Sequence, residues 1–507
     1  MSHSLCAISV VVAWILYQWV LFRITERKIR HIPTVGPDGF ISSYIAAWKF
    51  MWRGKDIVQE GYVKYRGTPF KVPSLMTPNR WLIIASGETM VKDMQRAAER
   101  ELSFHDALFQ MWQGDSLTRR LADKTWENPY LIGVVRGPLT RNFSARLDDF
   151  RDEVEVSFDE MIPKTDDWTP VQVYKTMIPI VCRATNRVFV GLPLCRDAEY
   201  CRIQETLTVH FFTMTNVLSL VPVALRSMVG RMLTKFPLEH ARVTKLLSPV
   251  ITERMNMDER YGSKWEGRPN DMISWLLDSA PDNEGFKSAE DISMRIILAN
   301  MGAIHTTSIT LSNCLFDLAA RPEYITPLRG EIAKVVGELG WTKEALDQLV
   351  KVDSFIKESS RLAGILALSM QRTTKEDFRF SNGVTVPKGF RVAVAAVATH
   401  GDSDIYEDAA AFNGFRFIES EEQKGNGPRR SISSLDPNFL IFGGGRSACP
   451  GRFFAVNEAK AILAYILVTY DIRLPDGQTA PPTPFWFGET RSPDIKAQVL
   501  FRERPVN

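Results

Sequence analysis

The middle of the chain carries apolar residues at helical spacing, whereas short apolar runs of strand type lie on either side of it. Residues 145 to 360 are mostly helix-like and are punctuated by prolines. Pro69 to Ser86 predicts short strands around a turn at residues 77–79, and strand signals return from Phe378 to Ala396. The pattern therefore predicts a mainly α chain with a small β portion.

One long helix stands out in the middle of this pattern. Ser288 and Asp291 have the spacing of an N-terminal cap, apolar periodicity continues to Ala320, and Pro322 stops it. A helix of some thirty residues is a rod of about 45–50 Å, long enough to cross a domain. Most of such a helix is buried, so polar residues in its centre require a functional explanation.

The first residues have a different character. Leu5 to Phe22 contains no charged residue and is long enough to span a bilayer, and basic residues follow it but do not precede it. No basic leader or small-residue cleavage site marks a signal peptide. We therefore expect a membrane anchor over residues 1–22, a basic, proline-containing arm over 23–40, and a cytosolic catalytic domain over 41–507.

Composition and charge narrow the possible functions. The chain has 507 residues, of which 45% are hydrophobic and 24% charged, and 62 Lys and Arg against 59 Asp and Glu give a formal charge of +3. This charge is too small for an electrostatic nucleic-acid binder. The six cysteines have neither a disulfide framework nor zinc-ligand spacing, which favours a reduced compartment.

One cysteine lies in an unusual context, the stretch "FLIFGGGRSACPGRFF" at residues 439–454. Pro450 suits the first turn of a helix, so Cys449 is expected at a helix N-terminus, where the dipole favours a thiolate. The preceding glycines let the backbone pass close to something large and flat. A thiolate open on one side suits axial ligation of a haem iron. The alternative is a buried structural cysteine after a glycine loop.

The segment "FGGGRSACPG" resembles the haem-thiolate signature of the cytochrome P450 monooxygenases. Phe442, Gly445, Cys449 and Gly451 fall at the positions of that signature. The resemblance implies haem b held through Cys449, which is also the metal ligand. It implies the cytochrome P450 fold, here preceded by an N-terminal transmembrane helix.

Three further segments resemble the same family in its order along the chain. Glu358 and Arg361 match its ExxR helix, and Arg416 in "FNGFRF" matches the arginine that completes a structural charge triad. Gly302 to Thr307 matches the oxygen-binding bend of the long helix, where hydroxyls bond backward to carbonyls and widen a turn. In that family the first threonine after the polar residue of this bend assists the protonation of dioxygen, and here that threonine is Thr306.

Two positions depart from the family pattern. The residue two before the cysteine is usually Arg or His, which pairs with a haem propionate, and here it is Ser447. The remaining propionate donors implied by the resemblance are Arg372 and Arg136. The second rests on a WxxxR pattern whose Trp is replaced by Ile132, and the alternative for Arg136 is a solvated helix arginine.

The second departure is His305, where most members carry Asp or Glu. A histidine can transfer protons near neutral pH, so it is a candidate catalytic residue together with Thr306. The alternative is that its ring only forms hydrogen bonds across the bend.

The substrate class follows from two observations. The segments that correspond to the family's substrate-contacting regions are predominantly apolar, although any one of them can be ordinary core. They are residues 104–111, 209–216, 298–301, 364–368 and 485–487. In addition, "AIHTT", "IPTVG", "LTRN" and "EGYxKY" resemble fungal members that oxidise terpenoids. A bulky lipophilic substrate of the diterpene, indole diterpene, triterpene or sterol-like kind is expected.

The resemblance thus implies a monooxygenase of fungal secondary metabolism in the endoplasmic reticulum membrane. NADPH electrons would arrive through NADPH-cytochrome P450 reductase, with cytochrome b5 as a further candidate partner and no nucleic acid involved. One alternative keeps the haem chemistry but yields desaturation, rearrangement or multi-step oxidation to an acid. Another is a non-catalytic haem or lipid sensor.

Overall fold

The computed structural model describes residues 2–282, 285–418 and 431–505, without the side chains of residues 2–8, 10, 11 and 115. Helices make up 60% of the chain and strands 11%. The predicted mainly α fold class with a small β portion is therefore confirmed.

Nineteen α-helices lie in the described ranges. They are α1 Ser2–Lys28, α2 Phe40–Lys64, α3 Glu88–Arg96, α4 Phe104–Trp112, α5 Gly114–Thr118, α6 Asp123–Glu127, α7 Tyr130–Val134, α8 Thr140–Met161, α9 Val173–Phe189, α10 Ala198–Leu220, α11 Val223–Leu233, α12 Phe236–Tyr261, α13 Met272–Ser279, α14 Ala289–Ala320, α15 Ile325–Leu339, α16 Lys343–Gln348, α17 Val350–Leu362, α18 Ala396–His400 and α19 Arg452–Thr469. A π-helical turn over Val135–Leu139 joins α7 to α8.

Twelve strands form four small sheets in the described part. They are β1 Phe70–Pro73, β2 Trp81–Ala85, β3 Leu102–Ser103, β4 Thr169–Gln172, β5 Leu368–Thr374, β6 Phe378–Arg379, β7 Thr385–Val386, β8 Arg391–Ala395, β9 Tyr470–Arg473, β10 Phe485–Phe487, β11 Thr490–Ser492 and β12 Gln498–Glu503. The sheet orders are β1-β2-β8-β5-β3, β4-β12-β9, β10-β11 and β6-β7. The strands predicted around residues 69–86 and 378–396 are confirmed.

The long central helix α14 begins and ends where the sequence predicted. The Ser288 side chain accepts a hydrogen bond from the Asp291 backbone N–H, and the helix continues to Ala320. Most of its side chains are buried, because α9, α10, α12, α17 and α19 surround it. It stays α-helical through Gly302 to Thr307, so the widened turn expected there is not present as a change of helix type.

The N-terminal helix α1 carries large apolar side chains that face outward. Those from Val12 to Ile24 are mostly exposed, whereas Phe22 packs against Phe40 and Trp81. Among the helices that the structure describes, none is both long enough and apolar enough to cross a bilayer. The membrane-spanning helix expected over Leu5 to Phe22 is therefore not shown, and part of that segment has side chains outside the described residues.

Candidate active site

The loop before α19 holds Cys449 in a conformation that requires glycine. The Cys449 backbone N–H donates to the Phe442 carbonyl at 2.9 Å, which closes the loop on itself. Gly443 and Gly445 both have φ of +68°, in the left-handed region that favours glycine. A Cβ on Gly445 would lie 2.3 Å from the carbonyl oxygen of Gln95, so α3 packs against this loop too closely for any side chain.

Two opposing influences act on the thiol of Cys449. Burial raises its pKa, whereas the backbone N–H groups of Gly451 and Arg452 and the charge of Arg452 lower it. The thiolate-favouring helix N-terminus expected from the sequence is thus present, but burial outweighs it. If a metal ion replaced the proton, the same N–H groups would stabilise the thiolate, because they donate towards the sulfur that would bind the metal.

The other glycine and the phenylalanine of the signature have different surroundings. Phe442 is half-buried and packs against the main hydrophobic core. Gly451 is the N-cap of α19, with φ of −89°, and a Cβ there would only touch Val135 at 3.5 Å. The protein itself therefore does not exclude a side chain at Gly451.

The expected charge triad is centred on Glu358 near the end of α17, where Arg361 and Arg416 each donate to its carboxylate. Arg361 Nε and Nη2 each donate to Glu358 at 2.7 Å, and Arg416 Nε donates to Glu358 Oε1 at 3.1 Å. Glu358 and Arg361 are fully buried. Arg361 Nη1 also donates to the carbonyls of His400 and Ala409, at 2.6 and 2.8 Å. These bonds satisfy a buried ion pair that burial alone would destabilise.

Thr306 and Gly302 are exposed although they lie in the centre of a buried helix. Thr306 Oγ1 donates to the Gly302 carbonyl at 2.8 Å and lies 3.3 Å from that of Ala303. Its proton is thus donated to the helix, whereas the hydroxyl oxygen keeps lone pairs that can accept a hydrogen bond. This part of α14 therefore lines an open space that admits a small polar molecule.

His305, one residue earlier, lies on the buried side of α14. Its Nδ1 lies 3.1 Å from the Tyr174 hydroxyl of α9, and its Nε2 lies 2.8 Å from the Glu205 carbonyl of α10. A carbonyl can only accept, so Nε2 carries the proton and Nδ1 accepts from Tyr174. Burial lowers the pKa of His305, partly offset by the Glu205 carbonyl. The neutral ring thus joins α14 to α9 and α10.

Arg372 is buried, and it forms no ion pair with any residue that the structure describes. It is only 4% exposed, and the hydrogen bond found in the described part runs from Nη1 to the adjacent Gln371 carbonyl, at 2.8 Å. Burial lowers the pKa of Arg372 to about 10, partly offset by the charge of Glu99. A buried guanidinium in this state favours an anionic ligand.

The other two candidate propionate donors lie at the cysteine loop. Arg136 is exposed and Nη2 donates to the Arg446 carbonyl at 2.6 Å, so it contacts the loop and is more than a solvated arginine. Ser447 lies in a short 3-10 turn over Gly445–Ser447 and is half-buried. Its hydroxyl makes no hydrogen bond within the described part of the chain.

These surroundings fit a flat anionic cofactor ligated by sulfur. The open face of α14 at Gly302 and Thr306, the thiol of Cys449 and the buried charge of Arg372 are the features that such a group would use. Together they match the donor set of a thiolate-ligated haem with its propionates.

Sequence reasoning missed one buried acid between the two main helices of the site. Glu458 of α19 is fully buried and accepts from Thr185 Oγ1 at 2.6 Å and from Thr307 Oγ1 at 3.1 Å. Burial raises its pKa to about 8, partly offset by those two hydroxyls. It links the cysteine helix to the residue beside Thr306. The only signal in the sequence is an acid within the apolar helix nine residues after Cys449.

The expected substrate-contacting segments meet in space. Helix α4 packs on β5, and α10 packs on α14 and α4. The β10–β11 hairpin joins residues 364–368 through the Ala367 N–H, which donates to the Glu489 carbonyl at 2.7 Å. Trp112 of α4 contacts Phe211 and Phe212 of α10, with ring centroids 5.8 and 6.0 Å apart. These aromatic contacts join α4 to α10.

Comparisons with known proteins show the family to which the chain is similar. The family model described as "Cytochrome P450" matches residues 39–501. "Cytochrome P450 monooxygenase 151" of Postia placenta is 37% identical, over 98% of this chain and 97% of that one. "Cytochrome P450 monooxygenase atmQ" of Aspergillus flavus is 31% identical, over 94% and 89%. A solved structure titled "Crystal structure of cytochrome P450DA heme domain" superposes with a TM-score of 0.68 at 18% identity, over 93% and 98%, which bears on the fold alone.

Proposed function

The chain belongs to the cytochrome P450 family, and on that premise we propose that it hydroxylates or further oxidises a bulky lipophilic terpenoid. As a member it is a monooxygenase with a thiolate-ligated haem. NADPH-cytochrome P450 reductase, with cytochrome b5 as a second donor, supplies the electrons. Two observations support a terpenoid substrate: the segments that resemble terpenoid-oxidising fungal members, and the apolar composition of the expected substrate-contacting segments. We propose that the enzyme acts in fungal secondary metabolism.

Four residues of the chain hold the cofactor in this proposal. Cys449 supplies the thiolate, while Arg372, Arg136 and the weaker neutral donor Ser447 hold the propionates. A haem bound in this way supplies the activation of dioxygen. The buried charge of Arg372 supports the assignment most strongly, because a propionate would satisfy it.

In this proposal the Thr306 hydroxyl binds a water that delivers protons, and the ring of His305 holds α14, which carries Thr306, in position. The free lone pairs of the Thr306 hydroxyl accept a hydrogen bond from a water in the open space, which fixes the water for proton delivery. The ring of His305 faces away from that space, towards Tyr174 and Glu205. This orientation favours the hydrogen-bonding role over proton transfer.

A panel of purified compounds tests the substrate class. Diterpenes, indole diterpenes, triterpenes and sterols are expected to shift the Soret band of the ferric protein, because an apolar substrate displaces water beside the haem. Small polar aromatic compounds and fatty acids of equal concentration serve as controls. A shift with the fatty acids and with none of the terpenoids would rule out the terpenoid proposal.

Membrane attachment through α1 belongs to the same proposal. The outward-facing apolar side chains from Val12 to Ile24 and the exposed residues Val223 and Met228 of α11 favour contact with lipid. We place the enzyme in the endoplasmic reticulum membrane, anchored through residues 1–22, with the catalytic domain in the cytosol.

Deletion of residues 1–22 is expected to release most of the protein from microsomes in high salt or mild detergent. The α11 surface retains some affinity for the membrane. Flotation of the full-length and shortened proteins measures the difference. If the shortened protein still requires full solubilisation of the bilayer, the anchor lies elsewhere.

A further inference from the structure

His400, the last residue of α18, lies between the charge triad and the cysteine loop. On one side its carbonyl accepts a hydrogen bond from Arg361 Nη1 at 2.6 Å. On the other side its Nε2 lies 2.9 Å from the backbone nitrogen of Leu440, and its ring stacks on Phe439 with centroids 5.5 Å apart. His400 is only 2% exposed. One residue therefore contacts both parts of the site.

The protonation state of this ring follows from its partner. The Leu440 N–H can only donate, so Nε2 of His400 must present a lone pair and Nδ1 must carry the proton. Burial, with the nearby charge of Arg361, lowers the pKa of His400 to about 3, which keeps the ring neutral. Nδ1 meets no acceptor in the described part of the chain. Within the described part of the chain, the one hydrogen bond of the ring is thus the bond from the Leu440 backbone N–H.

From Leu440 the hydrogen bonds continue to the cysteine. The Leu440 carbonyl accepts from Ser369 Oγ at 2.8 Å and from the Gly443 N–H at 3.0 Å. Two residues further on, the Phe442 carbonyl accepts from the Cys449 N–H at 2.9 Å. Both peptide groups of Leu440 are therefore held, and the loop that follows them closes directly on Cys449.

We propose that His400 is a positioning residue through which the Glu358–Arg361–Arg416 triad holds the cysteine loop at its haem-ligating geometry. The inference rests on Cys449 as the haem ligand. Loss of the Nε2 lone pair leaves the buried N–H of Leu440 unpaired and loosens the start of the loop. The thiolate ligation weakens as a result, although no atom of His400 touches the cofactor.

The variants distinguish the hydrogen-bond acceptor Nε2 of His400 from the stacking of its ring on Phe439. His400→Gln places a carbonyl oxygen near the position of Nε2, His400→Asn places it near that of Nδ1, and His400→Phe keeps only the stacking ring. The matched control is His240→Phe, because His240 is also buried and has Nε2 3.2 Å from a backbone carbonyl, that of Glu290, on α14. The readouts are the ferrous carbonyl spectrum and the rate of haem transfer to apomyoglobin.

His400→Phe and His400→Asn are expected to lose most of the red-shifted thiolate band and to release haem about tenfold faster. His400→Gln is expected to keep most of the band, and His240→Phe all of it. If His400→Phe does not fold, the Gln and Asn pair decides alone. A wild-type band and haem retention in His400→Asn, or equal losses in Gln and Asn, would overturn the proposal. Absence of the red-shifted band from the wild-type protein would instead contradict Cys449 as ligand.

Discussion

Cys449→His is expected to retain some haem but to lose the red-shifted Soret band of the thiolate–ferrous carbonyl complex and to reduce monooxygenase turnover to background. An imidazole can bind iron, but it does not donate electron density as a thiolate does. The backbone N–H groups of Gly451 and Arg452 that point at the sulfur would have no anion to stabilise in this variant.

The control for this result is Cys314→Ala. Cys314 is a fully buried thiol on α14 that packs in the main core, so its loss costs stability through a small cavity but leaves the carbonyl spectrum unchanged. An unchanged carbonyl spectrum in Cys449→His would contradict the ligand assignment.

Thr306→Ala is expected to leave NADPH consumption largely intact while product formation falls about tenfold or more and hydrogen peroxide takes its place. The hydroxyl of Thr306 donates to the Gly302 carbonyl, so its free lone pairs are what it offers to the open space. Alanine keeps the helix but removes the acceptor, so the water that delivers protons is no longer held in place. NADPH, peroxide and product measured in the same reaction give the coupling ratio.

Thr306→Ser is the matched variant, because it keeps the hydroxyl and removes only a methyl group. It is expected to couple NADPH consumption to product nearly as well as the wild type. Wild-type coupling in Thr306→Ala would exclude the proposed role of the threonine.

Local patterns in the sequence were sufficient to predict many of the helices, strands and turns. The cap at Ser288, the apolar periodicity to Ala320 and the turn near Thr77 depend on neighbouring residues, and the structure contains all three. The β4-β12-β9 sheet was not predicted, because it pairs residues 169–172 with residues 498–501. Pairing over such a separation leaves no local signal.

For the candidate site, the sequence indicated which residues would lie near each other more readily than where each side chain would point. Arg361 and Arg416 both donate to Glu358, as their pattern suggested, whereas the structural role of the triad stays a prediction. The direction of His305 could not be predicted, because adjacent helical residues point about 100° apart and only packing selects the buried face.

The buried polar residues Glu458 and His400 illustrate the same limit. Each is defined by partners on other elements, Thr185 and Thr307 for the acid and Leu440 for the imidazole. Likewise, the helix terminus near Cys449 was visible in the sequence, but the opposing effect of burial on the pKa of its thiol depends on tertiary packing.

The monooxygenase activity is tested most directly by turnover with the reductase, NADPH and ¹⁸O-labelled dioxygen, on a terpenoid that shifts the Soret band. We expect the wild-type protein to form a product that carries one labelled oxygen atom per hydroxylation, and Cys449→His to form none. NADPH consumption without an oxygenated product for every compound that binds, or a product oxygen derived from water, would contradict this expectation.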